Sequence, residues 1–391
     1  MPEPAPRRIL LGQGFLGSVR SLTGFKSSWS CTYDDLGSDN PFAALRAMEE
    51  GLAHDDVLVG YLGYECAQSL EPSLKLPRPP LDLPACWFGV FSGTADADPL
   101  ASLDRLEAPL SIGDGDAPHL YRGKVEDIRR RIGAGDVFQV NVSHRQTAIF
   151  PHAEDRLIDK LPWQEALDAP FGALIDLGSF SVVSASPELF LELDDRRLAT
   201  EPVKGTRPRS DDPVTDAALL AELQSDAKDR AENIMIADLM RNDLAKVCDD
   251  GSITEPVICG ARSFSNVHHL FSRIEGRLKT GLRFADALAA AFPCGSVTGA
   301  PKIAAMDAIA ALEGEGRGVY CGSLFAITGA GRARASVAIR TAMVDEGTRR
   351  VDVRSGGGVT TLSDPQQEYE ETLDKAYLFR QMVGADDPRS R

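Results

Sequence analysis

A glutamate and a lysine lie close together at one probable hairpin, where they could perform acid–base and nucleophilic chemistry. Glu188 precedes a strand-like run, Asp194-Asp195-Arg196 has turn composition, and the returning strand leads to Lys204. A turn centred on Asp194-Asp195 places Glu188 opposite Glu201, and a shift of one residue places it opposite Val203, at about 5 Å. In either register, the pair could supply a general acid and an amine nucleophile. An ordinary solvated ion pair would give the same pattern.

Two predicted helices each present carboxylates on one face. Asp229 and Glu232 are three residues apart, and Glu368, Glu371 and Lys375 fall at i, i+3 and i+7. Oxygen ligands from two helices could hold Mg²⁺, which prefers carboxylates and retains waters. The acidic residues could instead complement a helix dipole, and Glu371 with Lys375 could be a surface i,i+4 pair.

Helices and β-rich segments must position these groups. Ser363-Asp-Pro-Gln366 reads as a capping box with proline in the first turn of a helix. The segment Thr94–His119, rich in Asp, Ala, Gly and Pro, is the best candidate for a linker. Periodicity and breakers predict helices over 120–134, 216–247, 285–291, 300–313 and 364–382.

Composition restricts the class of protein. The chain has 391 residues with 43% hydrophobic and 26% charged residues, which are globular values. A net charge of −16 argues against nucleic acid or an anionic membrane surface as partner. No apolar run approaches the roughly 20 residues of a membrane span. An anionic substrate would therefore have to meet locally concentrated Arg and Lys residues.

Cysteine usage and the N-terminus favour a cytoplasmic location. The seven cysteines are scattered and contain no CxxC pair, which argues against a disulfide scaffold and a zinc site. Arg7-Arg8 precedes an apolar run that is broken by glycines and lacks a convincing cleavage site, so we expect no secretory signal.

Two glycine-rich segments resemble nucleotide-binding motifs only superficially. Gly12, Gly14 and Gly17 match GxGxxG, but no helical stripe follows them as a dinucleotide site requires. GSVTGAPK at 295–302 has too few residues between its glycines for a P-loop. It predicts a tight loop entering a helix at Pro301, whose free amides could hold an anion.

Nine segments in one order resemble the chorismate-utilising enzymes, the family that contains component I of anthranilate synthase and of aminodeoxychorismate synthase. The resemblance covers roughly Pro118 to Met382 and rests on these segments: GDVFQVNVS (135–143), SASPELF (184–190), PVKGT (202–206), KDRAENIMIADLMRNDLAKVC (228–248), GSVTGAPK (295–302), RGVYCGSLF (317–325), VAIRT (337–341), SGGGV (355–359) and DPQQEYEETLDKA (364–376). It implies an α+β fold with two packed β-sheets flanked by helices. Residues 1–110 would be a β-rich region of this fold, and 118–382 the chorismate-binding catalytic region.

The resemblance also implies a metal site. Glu232 and Glu371 would hold Mg²⁺, with Asp229 and Glu368 in supporting positions. Asp229 replaces a more usual glutamate. The metal would bind the ring carboxylate of chorismate and draw electron density from the ring.

Further residues are implied as substrate contacts. His269 would pack beside the leaving C4 oxygen, although a paired histidine is as often structural. Arg340 is the natural bidentate partner of a carboxylate. The implied contacts to substrate are Arg340, Tyr320 and the amides of Gly356, Gly357 and Gly358 at the enolpyruvyl carboxylate, Lys375 near the ring carboxylate or metal, and Ser296 and Thr298 by hydrogen bonds.

Two positions discriminate between members of the family. Enzymes that add water to chorismate carry a lysine base where this chain has Gln139, and anthranilate synthases carry a small residue where it has Lys204. The pair favours the branch that makes 4-amino-4-deoxychorismate for 4-aminobenzoate and folate synthesis. Lys204 would attack C2 as the C4 hydroxyl leaves, with Glu188 as general acid, and ammonia would then attack C4 and expel the lysine.

We expect the ammonia to come from elsewhere, since only the short segment Tyr377–Arg391 follows Ala376 in this sequence. The resemblance implies a separate glutamine amidotransferase subunit that supplies it. The alternatives are an anthranilate or aminodeoxyisochorismate synthase component I, or a non-catalytic chorismate-binding partner of a glutaminase.

Overall fold

The computed structural model describes residues 5–97, 109, 111–113, 115–264 and 267–384. The strands are β1 Arg8–Leu11, β2 Arg20–Cys31, β3 Val57–Leu62, β4 Cys86–Asp96, β5 Ser111–Gly113, β6 Gln139–Ile149, β7 Phe171–Asp176, β8 Phe180–Ser186, β9 Leu189–Asp194, β10 Arg197–Thr200, β11 Val203–Pro208, β12 Thr254–Ser263, β13 Val267–Arg277, β14 Gly299–Ala300, β15 Ser323–Thr328, β16 Ala333–Val337, β17 Thr341–Asp345 and β18 Arg350–Val359. The α-helices are α1 Gln13–Leu16, α2 Pro41–Glu50, α3 Pro118–Ala134, α4 Gln164–Leu167, α5 Pro213–Ser225, α6 Ala227–Ala245, α7 Phe284–Ala291, α8 Lys302–Glu313 and α9 Pro365–Met382.

The strands pair antiparallel in two runs. One run follows β1, β7, β8, β17, β18 and β6, and the other follows β4, β3, β15, β16, β9, β10 and β13. The long strand β2 pairs with β1 and with β4, and so joins the two runs.

A core packed between the two runs makes them a sandwich. Val59 and Tyr61 of β3 are fully buried there with Ile175 of β7 and Met343 of β17, from the other run. The alternate β3 residue Leu58 points to the opposite face, where it joins the core formed with α2, α6 and α7. Helix α9 packs on the outer face of the other run. The expected α+β fold of two packed sheets flanked by helices is confirmed.

The hairpin that carries Glu188 adopts the shifted register. Leu198 pairs with Leu193 and Ala199 with Glu192, so the ladder extrapolates to Glu188 opposite Val203. Asp195 and Arg196 form the turn, with φ of 47° and 66°, as a two-residue I′-type turn requires. The alternative register, with Glu188 opposite Glu201, is wrong.

The helix expected over 216–247 is two helices. Asp226 is extended, with φ −63° and ψ 118°, and its carboxylate accepts the N–H of Asp229 at 2.8 Å. It therefore ends α5 and caps α6. The cap fixes the first turn of α6, where Asp229 and Glu232 lie.

The capping box assigned to Ser363 is also wrong. Asp364 is the N-cap of α9, and its Oδ1 accepts the N–H groups of Gln366 and Gln367 at 3.0 and 2.9 Å. The Ser363 hydroxyl instead accepts the N–H of Thr360 at 3.0 Å. Helix α9 therefore begins at Pro365, one residue later than the expected start at 364.

Other expectations concern the first half of the chain. The linker expected over Thr94–His119 is wrong at its ends, because β4 runs to Asp96, β5 pairs with β6 and α3 starts at Pro118; residues 98–108, 110 and 114 lie outside the described part. The GxGxxG segment forms only the short helix α1, which ends at Gly17. All seven cysteines are buried free thiols. None of the helices in the described ranges is long and apolar enough to cross a bilayer.

The cap of α9 gives a first prediction. Replacing Asp364 by Ala leaves two N–H groups of the first turn without their acceptor, and we expect the free energy of unfolding in urea to fall by about 1 kcal/mol. The matched control is Asp364→Asn, which keeps a side-chain acceptor and should change stability by only a few tenths. Equal losses in both variants would show that the carboxylate charge, rather than the cap, stabilises the helix.

Candidate active site

Glu188 and Lys204 meet at one site. The Lys204 Nζ donates to the Ser296 carbonyl at 3.1 Å, and its charge reaches the buried carboxyl of Glu188. Burial raises the pKa of Glu188, against the opposing effects of the Ser296 hydroxyl, the Lys204 charge and the Val203 N–H. Its Oε1 is buried without a hydrogen-bond partner among the described residues. The raised pKa shifts Glu188 toward its protonated form, and only that form can donate to a leaving oxygen.

The glycines of β18 leave room beside Lys204. Gly358 pairs with Asn141 of β6. A methyl group on Gly358 would lie 2.3 Å from Nε2 of Gln139 and 3.1 Å from Nζ of Lys204, while one on Gly357 would lie 2.8 Å from Oε2 of Glu368. Any larger residue would therefore fill the space between the lysine and the carboxylates of α9. The Gln139 Oε1 is buried without a partner in the described structure.

Helices α6 and α9 bring their carboxylates to this space. Lys228 Nζ lies 4.0 Å from Oε1 of Glu232 and 3.5 Å from Oε1 of Glu368. Lys375 pairs with Glu371 at 2.7 Å and donates to the Gly356 carbonyl at 3.0 Å. Burial raises the pKa of Glu232, whereas the Lys375 charge lowers the pKa of Glu371.

The donors suit a metal held partly by substrate and water. Within the described ranges, no three His, Cys, Asp or Glu side chains gather closely enough to enclose an ion. Oε1 of Glu232 is nevertheless buried without a hydrogen-bond donor. Mg²⁺ is commonly held by one or two carboxylates, with waters and an anionic ligand completing the octahedron. Glu232 and Glu371 meet that requirement in chemical type.

Asp229 lies slightly apart from these carboxylates. Its Oδ2 pairs with Nη1 of Arg207 at 3.1 Å, and its Cγ lies beside Gly205. It therefore braces strand β11, which carries Lys204. Its supporting role at a metal stays a prediction.

Arg340 supplies an uncompensated positive charge. Burial lowers the pKa of its guanidinium, and no carboxylate in the described part of the chain forms an ion pair with it. Its backbone has φ 50°, an uncommon conformation for a residue with a side chain, between β16 and β17. A half-buried guanidinium without a carboxylate partner, held by a strained backbone, is suited to an anionic ligand.

His269 is neutral at physiological pH. Its Nδ1 lies 3.1 Å from the Thr206 hydroxyl, two residues from Lys204. Burial, followed by the charge of Arg340, lowers its pKa to about 4. It can therefore pack against a substrate and accept or donate a hydrogen bond without carrying charge.

The other side chains predicted to contact substrate are Ser296, Thr298 and Tyr320. The hydroxyl groups of Ser296 and Thr298 contact neighbouring protein groups. The Ser296 hydroxyl faces Glu188 and lies 3.2 Å from the Cys294 thiol. The Thr298 hydroxyl donates to the Cys294 carbonyl at 3.0 Å. Tyr320 is buried, with its ring 5.8 Å from the Arg317 guanidinium. Their contacts to substrate stay predictions.

Sequence reasoning missed two residues of the site. Lys228 precedes Glu232 by four positions, and that spacing could have identified it as the cation between the two helices. Arg317 follows Glu313 by four positions and forks onto its carboxylate, but Gly314 ends α8 between them. A helical i,i+4 rule does not extend past that end.

Comparison with known proteins places the site in context. A family model for chorismate binding enzymes matches residues 8–381. Aminodeoxychorismate synthase component 1 of Salmonella typhimurium is 40% identical over 255 residues, 65% of this chain and 55% of that protein. Anthranilate synthase component 1 of Methanothermobacter thermautotrophicus is 33% identical over 392 residues, 92% of this chain and 82% of that protein.

A solved structure shares the fold over nearly the whole chain. Anthranilate synthase component I from Streptococcus pneumoniae superposes with a TM-score of 0.75 at 25% identity, covering 98% of this chain and 91% of that one. The chain spans little more than half the length of the Salmonella protein.

The buried imidazole of His269 gives a prediction about acid stability. In the unfolded chain it takes up a proton near pH 6.5, but in the fold only near pH 4, so the unfolded state binds more protons in that window and stability falls as pH falls. We expect His269→Gln to remove up to about 3 kcal/mol of the loss in unfolding free energy between pH 7 and pH 4. The exposed His119→Gln on α3 is the control and should follow the parent profile. Parallel profiles for the parent and His269→Gln would contradict the assignment.

Proposed function

The chain belongs to the chorismate-binding enzyme family, and we propose that it is the synthase component that converts chorismate and ammonia into 4-amino-4-deoxychorismate. The observation that carries the proposal is the Lys204 amine, which points into the space beside Gly358 and lies near the buried, protonation-prone Glu188. A nucleophile next to a general acid is the arrangement that covalent displacement of a hydroxyl requires.

Binding would be electrostatic. Chorismate carries two carboxylates, and the region 118–382 presents Arg340, Lys204 and Lys375 in a protein of net charge −16. Arg340, with Tyr320 and the amides of Gly356–Gly358, would hold the enolpyruvyl carboxylate, and Lys375 would lie near the ring carboxylate. Residues 1–110 would contribute to the same fold rather than form a separate module.

The chemical steps follow from the positions of Lys204 and Glu188. In the proposed first step the Lys204 Nζ lone pair forms a bond to C2, the two conjugated ring double bonds shift and the C4–O bond breaks. Glu188 gives its proton to the departing oxygen, releasing water. Ammonia then forms a bond to C4 as the C2–N bond breaks, and the lysine leaves as the free amine. His269, being neutral, would pack beside C4 without competing as an acid.

Mg²⁺ fits the carboxylates of the site. Glu232 and Glu371 would hold the ion, and Glu368 and Asp229 would support them. The Lys228 amine, which lies near Glu232 and Glu368, would move aside when the ion binds. When bound, it would neutralise the ring carboxylate and draw electron density from the ring.

The ammonia would come from a separate glutamine amidotransferase subunit, and the product would serve 4-aminobenzoate and folate synthesis. Anthranilate synthase is the second candidate, because one such relative aligns with 92% of this chain. Lys204 argues for the first choice, since anthranilate synthesis does not need an amine at that position.

Product identity tests the proposal. Purified protein with chorismate, Mg²⁺ and excess ammonium salt should yield a product that retains enolpyruvate and carries nitrogen at C4, identified by mass spectrometry and NMR. Anthranilate would assign the chain to the second candidate. Chorismate that binds without turnover, also after a glutaminase subunit is added, would indicate a non-catalytic partner.

The covalent step gives a separate prediction. Acid quench during turnover at limiting ammonia should trap an adduct on the peptide that contains Lys204, and Lys204→Ala should abolish it. The matched control is Lys228→Ala, which removes another lysine of the same cleft and should leave the adduct on Lys204. An adduct that persists in Lys204→Ala would refute the nucleophile.

A further inference from the structure

A buried arginine ties together the segments of the site. The Arg317 side chain is 1% exposed. Its Nε and Nη2 donate to the two oxygens of the Glu313 carboxylate at 3.0 and 2.6 Å, and its Cζ lies 4.8 Å from the centroid of the Tyr64 ring. Its remaining bonds go to main-chain carbonyls of two distant segments.

The first carbonyl belongs to the loop beside Lys204. Arg317 Nη1 donates to the Val297 carbonyl at 2.9 Å. Val297 lies between Thr298 and Ser296, whose carbonyl accepts the Lys204 amine and whose hydroxyl faces Glu188. The guanidinium therefore fixes the peptide next to both reacting side chains.

The second carbonyl belongs to the strand that supports the glycines. Arg317 Nη2 donates to the Asn141 carbonyl at 2.7 Å. Asn141 pairs with Gly358, and its N–H bonds the Thr298 carbonyl at 2.8 Å. One side chain thus holds the 296–298 loop against β6 and, through β6, against β18.

A glutamate from the N-terminal part of the chain fixes Arg317 in turn. Glu65 is 1% exposed, and its two oxygens accept the N–H groups of Arg317 at 2.6 Å and of Gly318 at 3.1 Å. The Tyr64 N–H bonds the Gly318 carbonyl at 2.8 Å. The main chain at Arg317 is therefore clamped from the segment that follows β3.

We propose that Arg317, clamped by Glu65, is a positioning residue that sets the distance between Lys204, Glu188 and the substrate ring. The inference rests on the proposed function only in that the chain acts on chorismate, and it holds whichever product forms. Arg340 and Lys375 share no hydrogen bond with Arg317, so the loss of Arg317 should affect the chemical step more than the binding of substrate.

The test compares kcat with chorismate affinity in Arg317→Lys, which keeps the charge but loses the fork. We expect kcat for chorismate consumption to fall about 100-fold, as a displacement of about 1 Å would cause. The Kd for chorismate, measured by calorimetry, should change far less. The matched control is Arg156→Lys: Arg156 forks onto the buried Asp176 at 2.6 and 2.7 Å outside the site, and its loss should leave kcat unchanged.

Two further measurements separate positioning from general damage. Guanidinium ion added to Arg317→Ala should restore part of kcat, and methylammonium should not, because only the former reproduces the fork. If Arg317→Lys does not fold, Glu65→Gln replaces it, and a lower kcat with unchanged Kd is again expected.

Three outcomes would overturn the proposal: an Arg317→Lys kcat no lower than that of Arg156→Lys, an equal loss of kcat and affinity, or an unchanged kcat in Glu65→Gln. Anthranilate as the parent's product would refute the proposed function and leave this inference intact.

Discussion

The buried ion network around Glu313 is the constraint on which the site depends. Arg317 and Arg354 both contact its carboxylate, all three side chains are 1% exposed, and the same carboxylate accepts the Ser143 N–H at 2.8 Å. Burial works against the charged form, but the two arginines outweigh it and lower the pKa of Glu313. Removing one partner of such a group leaves a buried unpaired charge, at a cost of about 3–5 kcal/mol. The network therefore specifies one arrangement of α8, β6 and β18. It thereby also fixes the positions of the glycines in β18.

Several polar side chains of the candidate site, by contrast, have a polar group that lacks a hydrogen-bond or ion-pair partner among the described residues. Arg340 is half-buried and has no carboxylate partner in the described structure, and Glu188, Glu232 and Gln139 each keep a buried oxygen with no donor there. Each such group costs free energy in the isolated protein. An anion with carboxylates and hydroxyl groups would supply the missing partners.

The sequence predicted local features well and long-range ones poorly. The proximity of Glu188 and Lys204 followed from strand alternation and turn composition, although the register depended on whether Asp195-Arg196 or Asp194-Asp195 formed the turn. The helix predicted over 216–247 missed the cap at Asp226, because Asp is tolerated in a helix as well as at its start. Arg317 could not be predicted, since it bonds Asn141 across 176 positions and no periodicity relates the two.

The product formed by such a site would depend on only a few side chains. Relatives named for two different products align with this chain at 33% and 40% identity. A shared scaffold therefore does not decide the reaction. The Lys204 amine ends between the carbonyl of Ser296, which accepts its hydrogen bond, and Gly358. A small residue would leave that space to a nucleophile from solution, whereas Lys204 fills it with an amine. The neighbouring Gln139 has a neutral amide that does not take up a proton near neutral pH, so it cannot act as a general base to activate water. The Lys204 amine is therefore the nucleophile that we propose for this site.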